Sequence, residues 1–264
     1  MRLSTVCVAL SLITTAFVWN QSLARHAKPS AKPDAAAITA AIASPERSAD
    51  DRERDGWAKP DAVLTFLDAR PDMHVIDYLA GDGYYSELLA RIVGPKGEVI
   101  VYNNGGYAGF VGQELVKRFG GRRLPNTLQK VAEISALKLP EKSLDAALFV
   151  MSYHDIYYTP RGASAPMGDA SQAVRALFDA LKPGGIVVVQ DHVASAGSDP
   201  LQSVQKLHRI DPAAVKQTFE QAGFALDAES DVFKNASDDH SKLVFDPSIR
   251  HKTDEFLLRF RKPH

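Results

Sequence analysis

The sequence predicts a doubly wound α/β domain built on a mostly parallel sheet. Three observations carry this. Strand-like and helix-like segments alternate from residue 73 to residue 223. The inner strands LDAALFVMS (144–152) and GIVVVQDH (185–192) are almost continuously apolar, as strands covered by helices on both faces must be. The first strand runs straight into Gly81-Asp82-Gly83 and then a helix, the turn in which such sheets hold ligands.

The elements follow in order. Val63, Leu64, Phe66 and Leu67 share one helical face, so a helix is expected over about 60–69, ended by Arg70-Pro71-Asp72. MHVIDY (73–78) is a strand, and YYSELLARIV (84–93) repeats Leu88, Leu89, Ile92 and Val93 at helical spacing. The turn Gly94–Gly97 leads to a strand, EVIVYN (98–103). A helix over 109–119, stopped by Gly120-Gly121, precedes a third strand over 127–134. After the fourth strand comes a helix over 169–182, closed by Pro183-Gly184-Gly185, and then the fifth strand. A helix over 212–223 and two strands near 224–233 and 254–261, related as a hairpin-like pair, suggest an antiparallel edge.

Composition narrows the function. Of 264 residues 45% are hydrophobic, and 31 Lys and Arg stand against 32 Asp and Glu, a net charge of −1. That is a globular composition without the basic field that nucleic acid requires. The first residues read as a secretory signal peptide over 1–24: Arg2, an uncharged apolar run from Leu3 to Trp19, then Ser22-Leu23-Ala24 with small residues suited to cleavage. Cleavage there removes Cys7, the one cysteine, and excludes a thiol nucleophile, a CxxC redox site and a cysteine-ligated zinc. It also implies export, to a periplasm-like compartment, without stable membrane insertion. Residues 25–47, rich in Ala, Pro, Ser and Lys with no apolar periodicity beyond AAAITAAI, read as a flexible linker, a tether or a loose helix, so the folded domain is expected over 48–264.

From about residue 57 onward the order of motifs resembles the class I S-adenosylmethionine-dependent methyltransferases. The resemblance rests on the glycine loop, the GPKGEV turn, LPEKSLDAALFVMS before and through the fourth strand, and ALKPGGIVVV into the fifth. Within that family RERDGWAKPDAVLTFLDARPDMHV, GFALDAESD and KTDEFLLRFRKP look like a bacterial subgroup of secreted methyltransferases. The resemblance implies a Rossmann-like, seven-stranded sheet with an antiparallel last strand, S-adenosyl-L-methionine as cofactor and a small-molecule acceptor. It implies cofactor contacts from Asp77, Gly81, Asp82, Gly83, Asn103 and Ser152. Three positions depart from the family: Leu79 stands for a glycine, Asn103 for the acid that meets the ribose, and Ser135 for the acid that meets the adenine amine. These departures keep a second reading open, an inactive or repurposed member of the fold that binds another ligand.

Ser152-Tyr153-His154-Asp155 follows the fourth strand and Asp191-His192 ends the fifth, both at carboxyl ends beside the glycine loop. His154 or His192 is the candidate general base, with Asp155 or Asp191 to orient it. Tyr153, Tyr157 and Tyr158 are candidate walls of an acceptor pocket. Some enzymes of the family bind magnesium through aspartates at the places of Asp155 and Asp191. Here His192 stands where a third oxygen ligand belongs, and imidazole suits a hard ion poorly, so no metal is expected. The charge run Asp50–Asp55 reads as a solvated face or a cofactor lid, and Asp238-Asp239-His240 as a solvated loop or a cover over the crevice.

Overall fold

The computed structural model describes residues 32–264. The expected signal peptide and the first part of the expected linker lie outside the described residues.

Seven strands form one sheet: β1 (His74–Tyr78), β2 (Glu98–Asn103), β3 (Thr127–Val131), β4 (Leu144–Val150), β5 (Leu181–His192), β6 (Ala225–Ser230) and β7 (Glu255–Arg261). Their order is β3-β2-β1-β4-β5-β7-β6. Every pair from β3 to β5 is parallel, and β7 runs antiparallel to both β5 and β6. The antiparallel strand is therefore inserted beside β5, and the edge itself is β6. The strand order reverses between β1 and β4, which opens a crevice at their carboxyl ends.

The inner strands alternate between two cores, as the two-residue strand period requires. Val75, Ala146, Leu148 and Val188 face one core, with α3 (Pro60–Phe66), α4 (Tyr84–Val93) and the end of α5 (Gly105–Phe119). Ile76, Tyr78, Ala147, Phe149 and Val189 face the other, with α6 (Ala170–Ala180) and α8 (Pro212–Gln221). Asp77 is the one acid in β1, buried against α4.

Several boundaries differ from expectation for local reasons. α5 starts at Gly105 rather than 109 because the Asn104 side chain caps it, accepting from the Tyr107 amide. β5 starts at Leu181 because Leu144 pairs with Leu181 before a bulge, and Gly184, at φ 79°, takes the left-handed bend. α7 (Pro200–Leu207), which has little apolar patterning, was not expected; Asp199 caps it and Pro200 opens it.

The expected linker is corrected over its second half. AAAITAAI forms α1 (Ala35–Ile42), capped by Asp34, and buries Ile38 and Ala41 in the α4-side core. Good helix formers with even a narrow apolar stripe gain a helix once a partner surface exists. Arg47, 3% exposed, is held by two bonds to Asp55 of α2 (Ala49–Ala58), at 2.6 and 2.7 Å. Among the described residues the folded unit therefore extends upstream of residue 48 to include α1. No helix among the described residues is long and apolar enough to cross a membrane.

Candidate active site

The loop from β1 to α4 has three residues in the left-handed region: Leu79 at φ 55°, Gly81 at 58° and Gly83 at 80°. The two glycines differ in what surrounds them. A Cβ on Gly81 would meet open space, whereas one on Gly83 would lie 2.6 Å from the Phe119 ring. Gly81 therefore faces the crevice and Gly83 is packed against α5. Asn103, at the end of β2, spans the loop: its Oδ1 accepts from the Gly81 N–H and its Nδ2 donates to the Gly81 carbonyl, both at 2.9 Å. Asp77 lies beneath, accepting from Ser86 Oγ at 2.6 Å. Burial pushes its carboxyl up to about 6, against the pull of that hydrogen bond. Ser152 Oγ donates to the Tyr78 carbonyl at 3.0 Å and ties the end of β4 to the end of β1.

The charge run of α2 lies against this loop as a clamp and is not a wholly solvated face. Arg54 bonds Asp82 and stacks over the Tyr84 ring at 4.2 Å, while Asp51 binds Arg118 of α5 at 2.6 and 3.0 Å. Arg118 also donates to the Asp82 carbonyl and to Glu87, so one guanidinium joins α2, the loop and α4. Farther along, Trp57 stacks on His251 and Lys59 donates to the Val232 carbonyl, so α2 also meets the loop that follows β6.

At the ends of β4 and β5 the expected residues converge. Asp191, fully buried, accepts from the His154 amide at 2.9 Å, pairs with His154 Nδ1 at 2.7 Å and accepts from the His192 amide at 2.8 Å. Burial opposes charge on His154, but Asp155 and Asp191 outweigh it and hold the imidazole well above its usual value. Its Nδ1 faces Asp191 and its Nε2 lies 3.3 Å from both Asp155 and His208, so neither ring nitrogen is free to serve as the expected general base. Burial likewise works against Asp155, yet His154, His208 and Tyr107 hold its carboxyl well below the usual range. His192 bonds Thr253 Oγ1 at 2.8 Å, and burial takes it down to about 3, the charge of Asp191 notwithstanding.

The residue the sequence reading missed is Glu255. It opens β7 and pairs in register with His192, which brings its carboxylate to the carboxyl edge of the sheet. Gln190 donates to it at 2.8 Å and Thr253 at 3.1 Å, while burial raises it to about 7. It lines a cavity of about 300 Å³ with Trp57, Lys59, Phe233 and His251. No local pattern marks Glu255, since only the antiparallel register puts it there. Two expectations are corrected. Tyr153 is wholly buried against Phe149 and Phe219 and walls no pocket. Asp238 holds the buried Arg209 at 2.9 and 3.1 Å and His240 holds Asp254 at 2.9 Å, so that segment ties its loop to the chain just after α7; only Asp239 of the three is fully solvated.

No family model matches the chain. A Pasteurella multocida protein described as the ubiquinone/menaquinone biosynthesis C-methyltransferase UbiE is 28% identical over 134 residues, 51% of this chain and 45% of that protein. The chain thus matches less than half the length of that curated relative. The crystal structure of a SAM-dependent methyltransferase from Aquifex aeolicus superposes with a TM-score of 0.57 at 18% identity, covering 87% of this chain and 99% of that one. The fold is the class I methyltransferase fold. Phosphoethanolamine N-methyltransferase 2 of Haemonchus contortus, in complex with S-adenosyl-L-methionine, shares it with a TM-score of 0.54 at 13% identity, over 79% of this chain and 53% of that one.

Set on that fold, the three departures take physical form. Leu79 adopts the left-handed backbone its glycine counterpart would, and turns its side chain into the core beside Tyr78 and Ile100, where it is 2% exposed. It therefore leaves the crevice open. Left-handed backbone costs a non-glycine residue roughly 1–2 kcal/mol, whereas losing a buried leucine side chain costs about 2–5 kcal/mol. Leu79→Gly is accordingly expected to destabilise the protein, by about 1–3 kcal/mol net, as read from urea unfolding. Ser135 is exposed on a short turn, Ile134–Ala136. Asn103 retains one donor hydrogen and one acceptor lone pair beyond those used on Gly81.

Proposed function

We propose that the chain binds S-adenosyl-L-methionine at the carboxyl ends of β1 and β2 and methylates a small molecule seated toward β5 and β7. The observation that carries this is the loop 79–83: left-handed at three residues, open at Gly81, anchored by Asn103 and lying at the point where the strand order reverses. The similar proteins support the same reading: one is described as a C-methyltransferase, one as a SAM-dependent methyltransferase and one as a methyltransferase in complex with S-adenosyl-L-methionine. Gly81 lets the backbone approach the cofactor, the buried Asn103 holds that loop in place at the end of β2, and α2 braces the loop through Arg54 and Arg118. The cofactor's sulfonium supplies the activated methyl group, so the protein's task is to align donor and acceptor and to exclude water.

Glu255 supplies the proton acceptor that His154 and His192 do not. A carboxylate near neutrality, partly buried and lining a cavity with aromatic walls, suits removal of a proton from a hydroxyl, amine or acidic carbon. The leader-like residues 1–24 alone support export of this enzyme. The test uses methyl-labelled cofactor with a small-molecule extract: label is expected in low-mass products, at a rate that rises with pH through about 7 as Glu255 ionises. Glu255→Gln should lower the rate by about 100-fold and flatten that rise. A profile unchanged in the variant would remove Glu255 from the reaction.

A further inference from the structure

His154 and Asp155 also belong to a second constellation, which His208 completes. His154 and Asp155 stand on the short helix after β4 (His154–Tyr157), and His208 stands at the end of α7. His154 Nε2 is 3.3 Å from His208 Nδ1 and 3.3 Å from Asp155 Oδ1, and His208 Nδ1 is 3.4 Å from Asp155 Oδ1. The three ligand atoms form a nearly equilateral triangle. With metal–ligand bonds of about 2.0–2.1 Å, adjacent corners of a tetrahedron stand about 3.3–3.4 Å apart, and those of an octahedron only about 2.8–3.0 Å. The triangle has tetrahedral edges.

We propose that His154, Asp155 and His208 form a binding site for one divalent ion of the zinc class. The supporting shell is the kind such sites require. His154 Nδ1 faces Asp191 Oδ1 at 2.7 Å, which aims Nε2 at the site, where an ion displaces the Nε2 proton to solvent, and the second oxygen of Asp155 accepts from the Tyr107 hydroxyl. His208 is held at φ 52° and packs against the tilted rings of Tyr158 and Phe245, with centroids at 4.7 and 5.0 Å, so its ring is aimed by packing as well as by backbone. Two imidazoles and one carboxylate suit zinc, cobalt or ferrous iron and not magnesium. Three protein ligands leave the fourth corner for water or for an oxygen of a bound molecule, the arrangement of a reactive rather than a closed structural site. The ion class and the ligand set differ from the aspartate pair weighed from the sequence, because Asp191 is fully engaged with His154 and His192. The inference rests on this geometry and not on methyl transfer.

The test is calorimetric titration of untagged, chelator-treated full-length protein with zinc chloride, and with cobalt chloride followed by visible absorption. One equivalent of zinc is expected to bind, and cobalt to give the intense bands of a tetrahedral ion. His208→Ala should weaken zinc binding by at least about 100-fold, and Asp191→Asn by about 10–100-fold, with circular dichroism unchanged. Should His208→Ala lose its fold, His208→Gln, which keeps bulk and polarity, is read instead. No stoichiometric binding, a weak octahedral cobalt spectrum, or binding indifferent to the His208 substitutions would overturn the site.

Discussion

Gly81→Val is expected to abolish binding of S-adenosyl-L-methionine while leaving the protein folded. The Gly81 Cβ position is open, so a side chain there meets no protein atom and projects into the space where the cofactor is placed. The substitution forces a β-branched residue to φ 58°, at a cost of about 1–3 kcal/mol, which a domain of this size tolerates. Binding should fall by more than about 100-fold, measured by calorimetry, with the circular dichroism spectrum retained. Gly83→Val is the control with the opposite signature. There the new Cβ lies 2.6 Å from the Phe119 ring, so the loss is one of packing and appears first in thermal unfolding.

Arg118→Ala is expected to be the most destabilising single change at the α2 clamp. Its guanidinium holds Asp51 and Glu87, which are 6% and 1% exposed at their side chains, and its Nε donates to the Asp82 carbonyl. Glu87 keeps Arg91 and Arg123, but Asp51 loses its charged partner while nearly buried. Breaking a buried pair from one side costs about 3–5 kcal/mol, because the remaining carboxylate is left without compensation. The second consequence is local: α2 is released from α5, so amide exchange over Ala49–Ala58 should accelerate more than exchange in β1 or β4. Uniform acceleration across the sheet would mean that Arg118 supports the whole core and not the clamp.

The parts of this molecule legible in its sequence are those fixed by local pattern. Strands β1, β4 and β5 declare themselves because both faces are buried, and α4 because four apolar residues recur at helical spacing behind a glycine turn. AAAITAAI read as no more than a loose helix, and α7 was missed, because each is eight residues long and buries only two of them. The position of β7 between β5 and β6 depends on pairing across the sheet, which no segment of sequence states. The candidate site divides in the same way. The glycine loop, Asn103 and the His154–Asp191 group follow from their places at strand ends. Glu255 and His208 reach the site by long-range register and by a left-handed helix end, so nothing near them in the chain marks them out. Leu79, which stands for a glycine of the family, leaves the crevice open because its left-handed backbone directs the side chain into the core.

The central claim is that the loop 79–83 holds S-adenosyl-L-methionine. Isothermal titration of the wild-type protein with S-adenosyl-L-methionine, and with its demethylated product, tests this most directly. Saturable binding with one site per chain, lost in Gly81→Val, is the result the structure predicts. Absence of any binding heat at millimolar ligand from a folded wild-type protein would contradict it and would leave the fold in the service of another ligand.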